Sequence, residues 1–341
     1  ILKMSLIPFK SRISLLKILL PMAFTSMEKA EELDSVPLTQ VTSKLDFHSK
    51  QFFDAVCMLA FADSPEHISL GEFARTIIRA NPFKGGTSEF AYPDMGGYDR
   101  ISEVMSNYVE EQDSKVNLGH SIKKVIVHNK KVTGIELSDG KTVETDCVII
   151  SYPAYHAINQ LFEPGIFDDD FIKKTNRLNK TTSVVEVHFA LSKALDERQV
   201  VFPVGDNYVS KGIFFISNIT PSVSPEGEHL IIVGTPVKPE ETEDPKRIKE
   251  IVSKMKQELS EIYHDFDEAL LWDRPMAWKL VEAVVKEPGL VWKHKMPHSV
   301  PHVDGLFFVG DSTVSYGIGT DSAAHSAVLA HPLIKKHLKS L

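Results

Sequence analysis

Apolar positions recur with a helical period through most of the first 80 residues, which predicts a largely helical zone. Asp34 or Ser35 ahead of Pro37, and Ser64 ahead of Pro65, are its expected helix starts. The stretch FKSRISLLKILLPMAF reads as an amphipathic helix: Lys17 and Pro21 interrupt an apolar run shorter than the ~20 residues a bilayer span needs, and no clear small-residue cleavage site follows. In EFAYPDMGGYDRISEVMSNYVEEQ, Gly96 and Gly97 open a helix whose Ile101, Val104, Met105 and Tyr108 share one face, which is expected to be buried. SIKKVIVHNKKVTGIELSDGKTVETDCVIISYP then alternates as three short antiparallel strands with turns at Asn129-Lys130 and Asp139-Gly140. The apolar strand Cys147 to Ile150 that follows should be covered on both faces.

Beyond residue 165 the texture changes. TTSVVEVHFALS, GIFFISNI, HLIIVGTPV and AWKLVEAV read as strands of a mainly antiparallel sheet, and PKRIKEIVSKMKQELSEIY as an amphipathic helix with Pro245 in its first turn. Near the end, GLFFVGD is a buried strand, and SAAHSAVLAHPLIKKHL a helix carrying lysines in its last turns, as the helix dipole favours. No internal repeat or low-complexity tract interrupts these zones.

Composition narrows the function classes. With 341 residues, 43% apolar and 25% charged, the chain has the balance of a globular protein of one large or two ordinary domains. A net charge of -8 offers no basic field to a phosphate backbone, so nucleic acid is not expected as a partner. Cys57 and Cys147 lie far apart and form no CxxC, which fits two packed thiols in a reducing, cytoplasmic setting. His294, His298 and His302 repeat every four residues, but Pro297 and Pro301 keep a helix from aligning them, and no metal is expected.

The candidate chemistry sits in FVGDSTVSYGIGTDSAAHSA, a strand, a glycine- and hydroxyl-rich loop and a small-residue helix. Gly310-Asp311, Gly317 and Gly319-Thr320-Asp321 are expected to present unpaired N–H groups and a positive dipole end, a site for an anion or a polar carbonyl. An ordinary tight turn with Asp321 as helix cap satisfies the same letters. Asp311 would repel a diphosphate and suits sugar or ribityl hydroxyls better.

Taken in order, YPDMGGYDRISEVMSNYV, the three-strand segment and VDGLFFVGDSTVSYGIGTDSAAHSAVLA resemble the FAD-dependent flavin amine oxidase and phytoene desaturase superfamily, closest to its phytoene-desaturase-like branch. The resemblance implies an α/β fold: a discontinuous Rossmann-like FAD-binding domain, 97–164 and 300–341, and a substrate domain with a helical part, 1–96, and a mixed-sheet part, 165–299. It places Gly310 and Asp311 at the ribityl and phosphate part of FAD, Gly317, Gly319, Thr320 and Asp321 at the N1–C2=O edge of the flavin, and Ile122 at the adenine. Gly96 and Gly97 would begin the helix that returns the chain to the FAD domain. The family opens with a strand, GxGxxG and a helix, which these residues lack, since KGGTSE follows no apolar strand. The expectation is therefore a chain that lacks this opening piece and is inactive without it.

The resemblance further implies hydride removal or relocation on a small apolar substrate, isoprenoid or carotenoid-like, with FAD as cofactor. The catalytic residues stay unassigned. Trp292, Lys293, Tyr92 and Tyr316 are candidates either for the flavin-facing pocket or for packing. Residues 7–24 suit either a buried place in the substrate domain or peripheral contact with a membrane surface that admits such a substrate. Two alternatives stand beside the desaturase reading: a flavin amine oxidase, and a non-catalytic prenyl-lipid carrier like the Rab GDP-dissociation inhibitors.

Overall fold

The computed structural model describes residues 7–81, 92–93, 97–203, 205, 207–301 and 303–341. Gly96, His302 and the KGGTSE segment lie outside the described residues. Ten strands are present among them: β1 (Ile122–His128), β2 (Lys131–Leu137), β3 (Thr142–Glu144), β4 (Val148–Ile150), β5 (Thr182–Leu191), β6 (Val200–Val201), β7 (Gly212–Phe215), β8 (His229–Val237), β9 (Leu270–Glu282) and β10 (Leu306–Phe308). By internal packing the chain forms two units, 1–86 with 119–181 and 282–341, and 87–118 with 182–281.

The first unit carries β1-β2-β3 as an antiparallel meander and β10-β4 as a parallel pair. The first turn of the meander forms because Asn129 and Lys130 both adopt left-handed backbone, at φ 49° and 62°, which matches the twist of the flanking strands. Leu306, Phe307 and Phe308 lie beside Val148, Ile149 and Ile150 in register. Val125, Val132, Ile150, Tyr155, Leu306 and Phe308 are buried in one core with the Ala154–Gln160 helix.

Residues 1–86 belong to this unit by contact, whereas the sequence boundaries grouped 1–96 with the sheet at 165–299. Backbone bonds explain the difference: Ser69 N–H donates to the Lys286 carbonyl at 2.7 Å and Gly289 N–H to that of Asp34 at 2.9 Å. Helices Phe9–Phe24, Phe47–Phe61 and Leu70–Arg79 bury Leu15, Leu19, Phe53, Cys57, Phe61 and Phe73 together. The expected start at Ser64 is instead a turn, with His67 N–H donating to the Ser64 carbonyl. The helix begins after Ser69, whose Oγ accepts from Glu72 N–H at 3.3 Å.

The second unit is a five-stranded sheet in the order β6-β7-β8-β5-β9. The Pro245–Ile262 helix buries Ile251, Val252, Met255 and Leu259 against Val185, Val187, Phe189 and Val233. Its N-cap Asp244 accepts from Lys246 and Arg247 N–H, so Pro245 falls where no amide proton is needed. The stretch GIFFISNI divides, with β7 ending at Phe215 and a helical turn Ile216–Ile219 following.

Two burial expectations fail. The helix Tyr98–Glu111 starts after Gly97, at φ 63°, but no residue on it is buried, and Val104, Met105 and Tyr108 are 51%, 65% and 62% exposed. No layer of the described residues covers that stripe. Likewise Ile149 of β4 is 50% exposed, because none of the described residues covers its side of the two-stranded sheet.

Candidate functional site

Strand β10 delivers the chain into the glycine loop. Gly310 sits at φ +106° and approaches the Ser151 carbonyl, where an added Cβ would come within 3.2 Å. Its N–H donates to Ser326 Oγ at 2.8 Å, and Thr313 Oγ1 contacts the same serine at 2.6 Å, tying the loop's start to the helix Gly319–Leu338.

The loop's amides are less free than the sequence suggested. Gly317 N–H donates to Glu72 Oε1 at 3.2 Å, Gly319 N–H to Glu282 Oε1 at 3.1 Å, and Tyr316 N–H to His325 Nδ1 at 3.3 Å. Carboxylates from other segments thus occupy positions at the positive end of the helix dipole, a favourable placement for negative charge. Asp311 Oδ2 accepts from Ala283 N–H at 2.7 Å, so this carboxylate braces the segment after β9. Asp321 makes no cap bond and pairs with Arg79 instead. The tight-turn alternative with Asp321 as cap is therefore not the arrangement present.

One part of the loop stays open. Gly319 has φ +49°, and none of the described residues lies within 4 Å of where its Cβ would stand, at the first residue of the terminal helix. Thr320 follows in the same turn. Ile122 lies apart at the first position of β1, partly exposed and paired with Leu137.

Aromatic residues flank the loop. Trp292, at φ 50°, stacks parallel to His325 with ring centroids 6.0 Å apart and meets Tyr316 at 5.0 Å, while Arg79 lies over Tyr316. Burial, then the Arg79 charge, hold the His325 pKa below its usual value. Trp292 Nε1 donates to Glu31 Oε2 at 3.1 Å, and Lys293 pairs with Glu31 at 2.8 Å, so both are engaged in packing. Tyr92 belongs to the other unit and packs edge-on against Tyr98.

Beneath the loop lies a buried charge cluster that sequence reading did not single out. Arg75 donates to Asp34 Oδ1 at 2.5 Å and Glu72 Oε2 at 2.9 Å, and Lys286 pairs with Glu282 at 2.8 Å. Burial raises the Asp34 pKa in spite of Arg75. Burial also works against the charge of Lys286, yet the carboxylates of Glu282 and Glu72 outweigh it and raise its pKa. One signal was available in Ser69-x-x-Glu72, but that spacing reads as a capping box. The Glu72 side chain turns away from Ser69 to Arg75 and Gly317.

A parallel strand pair feeding a glycine loop and helix, a three-stranded meander and a separate antiparallel sheet together define the fold of FAD-binding oxidoreductases. The oxidoreductase of Methanosarcina mazei has this fold at TM-score 0.74 and 18% identity, covering 96% of this chain and 74% of that one. A triple variant of putrescine oxidase matches at TM-score 0.71 and 13% identity, covering 96% and 76%. The model of the flavin containing amine oxidoreductases matches residues 17–330, and the chain belongs to that family. The family's cofactor is flavin, in agreement with the FAD expected from the motifs. Among curated proteins, the 4,4'-diapophytoene desaturase (4,4'-diapolycopene-forming) of a Methylomonas species is 26% identical over 105 residues, which is 31% of this chain and 20% of that protein.

The residues present fit the ring-and-ribityl end of FAD in part: among the described residues the Cβ position of Gly319 is open at the start of the terminal helix, and hydroxyl and carboxylate groups line the loop before it, while the Gly317 and Gly319 N–H groups are held by Glu72 and Glu282. No strand–GxGxxG–helix for a diphosphate occurs in the sequence.

Proposed function

We propose that this protein acts as an FAD-dependent oxidoreductase of the desaturase type on a small apolar substrate of isoprenoid or carotenoid character. The observation that carries the reading is Gly319: left-handed, opening the terminal helix and without a neighbour among the described residues where a side chain would project. A planar edge can approach there without meeting a Cβ. Flavin, when bound, supplies the hydride acceptor. The Thr320 N–H in the first turn of the helix would face the electron-rich ring edge, the Asp321 N–H being given to the Ile318 carbonyl at 3.1 Å, and a fixed donor favours charge that develops during reaction. Gly310 would let the backbone approach the ribityl chain, Asp311 would accept from its hydroxyls, and Ile122 would border the adenine. The curated desaturase relative supports the substrate class.

An apolar substrate also suits the helix Phe9–Phe24. Phe9, Leu20 and Phe24 are 67%, 54% and 60% exposed, and Lys10 and Lys17 are exposed with them. The helix contains no Asp or Glu. We assign this face to peripheral contact with an anionic lipid surface.

The deciding measurement is FAD titration of the protein expressed from its complete coding sequence, alongside Gly319→Val. Bound-flavin absorbance in the parent and at least about tenfold weaker binding in the variant are expected, a valine at φ +49° being both strained and obstructive. Parent protein that stays colourless in excess FAD would overturn the enzyme reading. A prenyl-lipid carrier would then lead, the Glu72 and Glu282 contacts being permanent closures of the loop.

A further inference from the structure

The Pro245–Ile262 helix covers one face of the five-stranded sheet, where Val185, Val187, Phe189 and Val233 are buried. Strand alternation turns Val184, Glu186, His188, Phe214, Ile232 and Gly234 to the other face, and all of them are partly exposed. In register, Gly212 lies beside Gly234 and Gly234 beside Glu186, while Phe214 lies beside Ile232 and Ile232 beside His188. One row across the sheet is therefore floored by glycine and ends in a carboxylate. The row next to it is apolar and ends in a histidine.

The glycines shape a trough along that row. A Cβ on Gly234 would find Glu186 Cβ and Val184 Cγ1 as its nearest neighbours, each at 3.7 Å, so space stands open above the backbone there. A Cβ on Gly212 would sit 2.8 Å from the Phe214 ring, which lies over the glycine in its place, and Phe202 meets that ring edge-on with centroids 6.2 Å apart. The floor is thus backbone and aromatic face, bordered by Val184 on one side and Ile232 on the other.

Glu186 closes the trough. Its Oε1 accepts from Trp278 Nε1 at 2.9 Å and faces His188 Nε2 at 3.4 Å, while Oε2 has no partner among the described residues. The side chain is 25% exposed, so the carboxylate is largely out of water. Burial opposes its charge, yet the bonds from His188 and Trp278 outweigh that and hold its pKa below the usual carboxylate value. An ionised carboxylate only accepts, so a ligand that completes it must donate. His188, when protonated, supplies a countercharge within the face, so the incoming donor need not be a cation.

We propose that this trough binds an amphiphilic ligand, an apolar chain ending in one hydroxyl, with the chain lying over Gly234 and Phe214 and the hydroxyl donating to Glu186. Trp278 and His188 hold the carboxylate in position. Every residue of the site belongs to the second unit, and the site needs no flavin. That its ligand is also the substrate rests on the function proposed above.

Tryptophan fluorescence of the flavin-free protein tests this, with Trp278 reporting from the site. The probes are geraniol, geranylamine and myrcene, which share an isoprenoid body and end in a hydroxyl, an ammonium and a hydrocarbon group. Geraniol should bind about 10- to 100-fold tighter than myrcene, the worth of one charge-assisted hydrogen bond. In Glu186→Leu the two should bind alike. Gly234→Val should fold, since a Cβ there meets only ordinary van der Waals contacts and valine favours a strand, and it should weaken both probes about tenfold or more by filling the trough. If circular dichroism shows Glu186→Leu to be unfolded, the parent's choice among the probes and Gly234→Val decide the matter. No binding of geraniol, equal affinity for geraniol and myrcene in the parent, geraniol binding unchanged in Gly234→Val, or tighter binding of geranylamine than of geraniol overturns the proposal. None of these results bears on the FAD titration, whose failure is read separately from flavin absorbance.

Discussion

Replacing Arg75 with methionine tests whether the cluster under the glycine loop is held by a single buried cation. Arg75 and Asp34 are each 1% exposed and Glu72 is 2% exposed. The guanidinium gives two bonds to Glu72 Oε2, at 3.0 and 2.9 Å, and one to Asp34 Oδ1 at 2.5 Å. Breaking a buried pair from one side costs about 3–5 kcal/mol, because the stranded charge stays desolvated. Some of this returns: Arg75 Nη1 is itself buried without a hydrogen-bond acceptor, and removing an unsatisfied donor recovers roughly 1 kcal/mol. Glu72 keeps its bond from Gly317, so Asp34 bears most of the loss.

The net expectation is about 2–4 kcal/mol, equivalent to about 30- to 900-fold lower protection of the 70–79 helix amides in native-state hydrogen exchange. The pH dependence has a definite sign. Burial holds the Asp34 pKa above its unfolded value, so its ionisation opposes folding once pH exceeds the ordinary carboxylate range, and that penalty grows with pH until the folded value is passed. Losing Arg75 raises the folded value further. The destabilisation should therefore be larger at pH 8 than at pH 5. A loss below about threefold, or one equal at both pH values, would refute the assignment of Arg75 as the essential countercharge.

Two further expectations can be checked directly. Asp46 caps the Phe47–Phe61 helix by accepting from Ser49 N–H, and hydroxyl bonds from Ser49 and Ser11 bring its pKa down to about 2. Asp46→Ala should cost about 1 kcal/mol in denaturant melts near neutrality, and because the folded pKa is depressed the difference should shrink as pH falls from about 4 towards 2. For the exposed face of the Phe9–Phe24 helix, the protein should co-sediment with vesicles containing phosphatidylglycerol, and Lys10→Glu with Lys17→Glu should abolish this. Equal sedimentation of parent and variant would remove the lipid-surface assignment.

Local patterns were legible wherever a neighbour in sequence satisfies the backbone. Asn129-Lys130 could only be a tight hairpin, Pro245 after Asp244 marks a helix start, and the lysines closing Gly319–Leu338 follow the helix dipole. The GIGTD loop was readable as a candidate site because glycine at positive φ and a helix N-terminus have chemical meaning on their own. Burial was not readable in the same way. The stripe of Ile101, Val104, Met105 and Tyr108 has the right period for a buried face and is exposed, because period states only that one face differs from another.

Only the tertiary structure decided which groups complete the loop. Gly317 receives its acceptor from Glu72, 245 positions away, and Gly319 from Glu282, 37 positions away. Nothing in either neighbourhood marks that pairing, since Glu72 sits in an ordinary helix-start spacing and Glu282 at the end of a strand. Lys295, flanked by His294 and Met296, looks like a surface residue in the string of letters. It becomes the centre of the loop because β10 and the terminal helix bring Asp311, Ser315 and Ser322 around one amine. A buried charge is tolerated only where the fold supplies enough partners, and those partners are far apart in the chain.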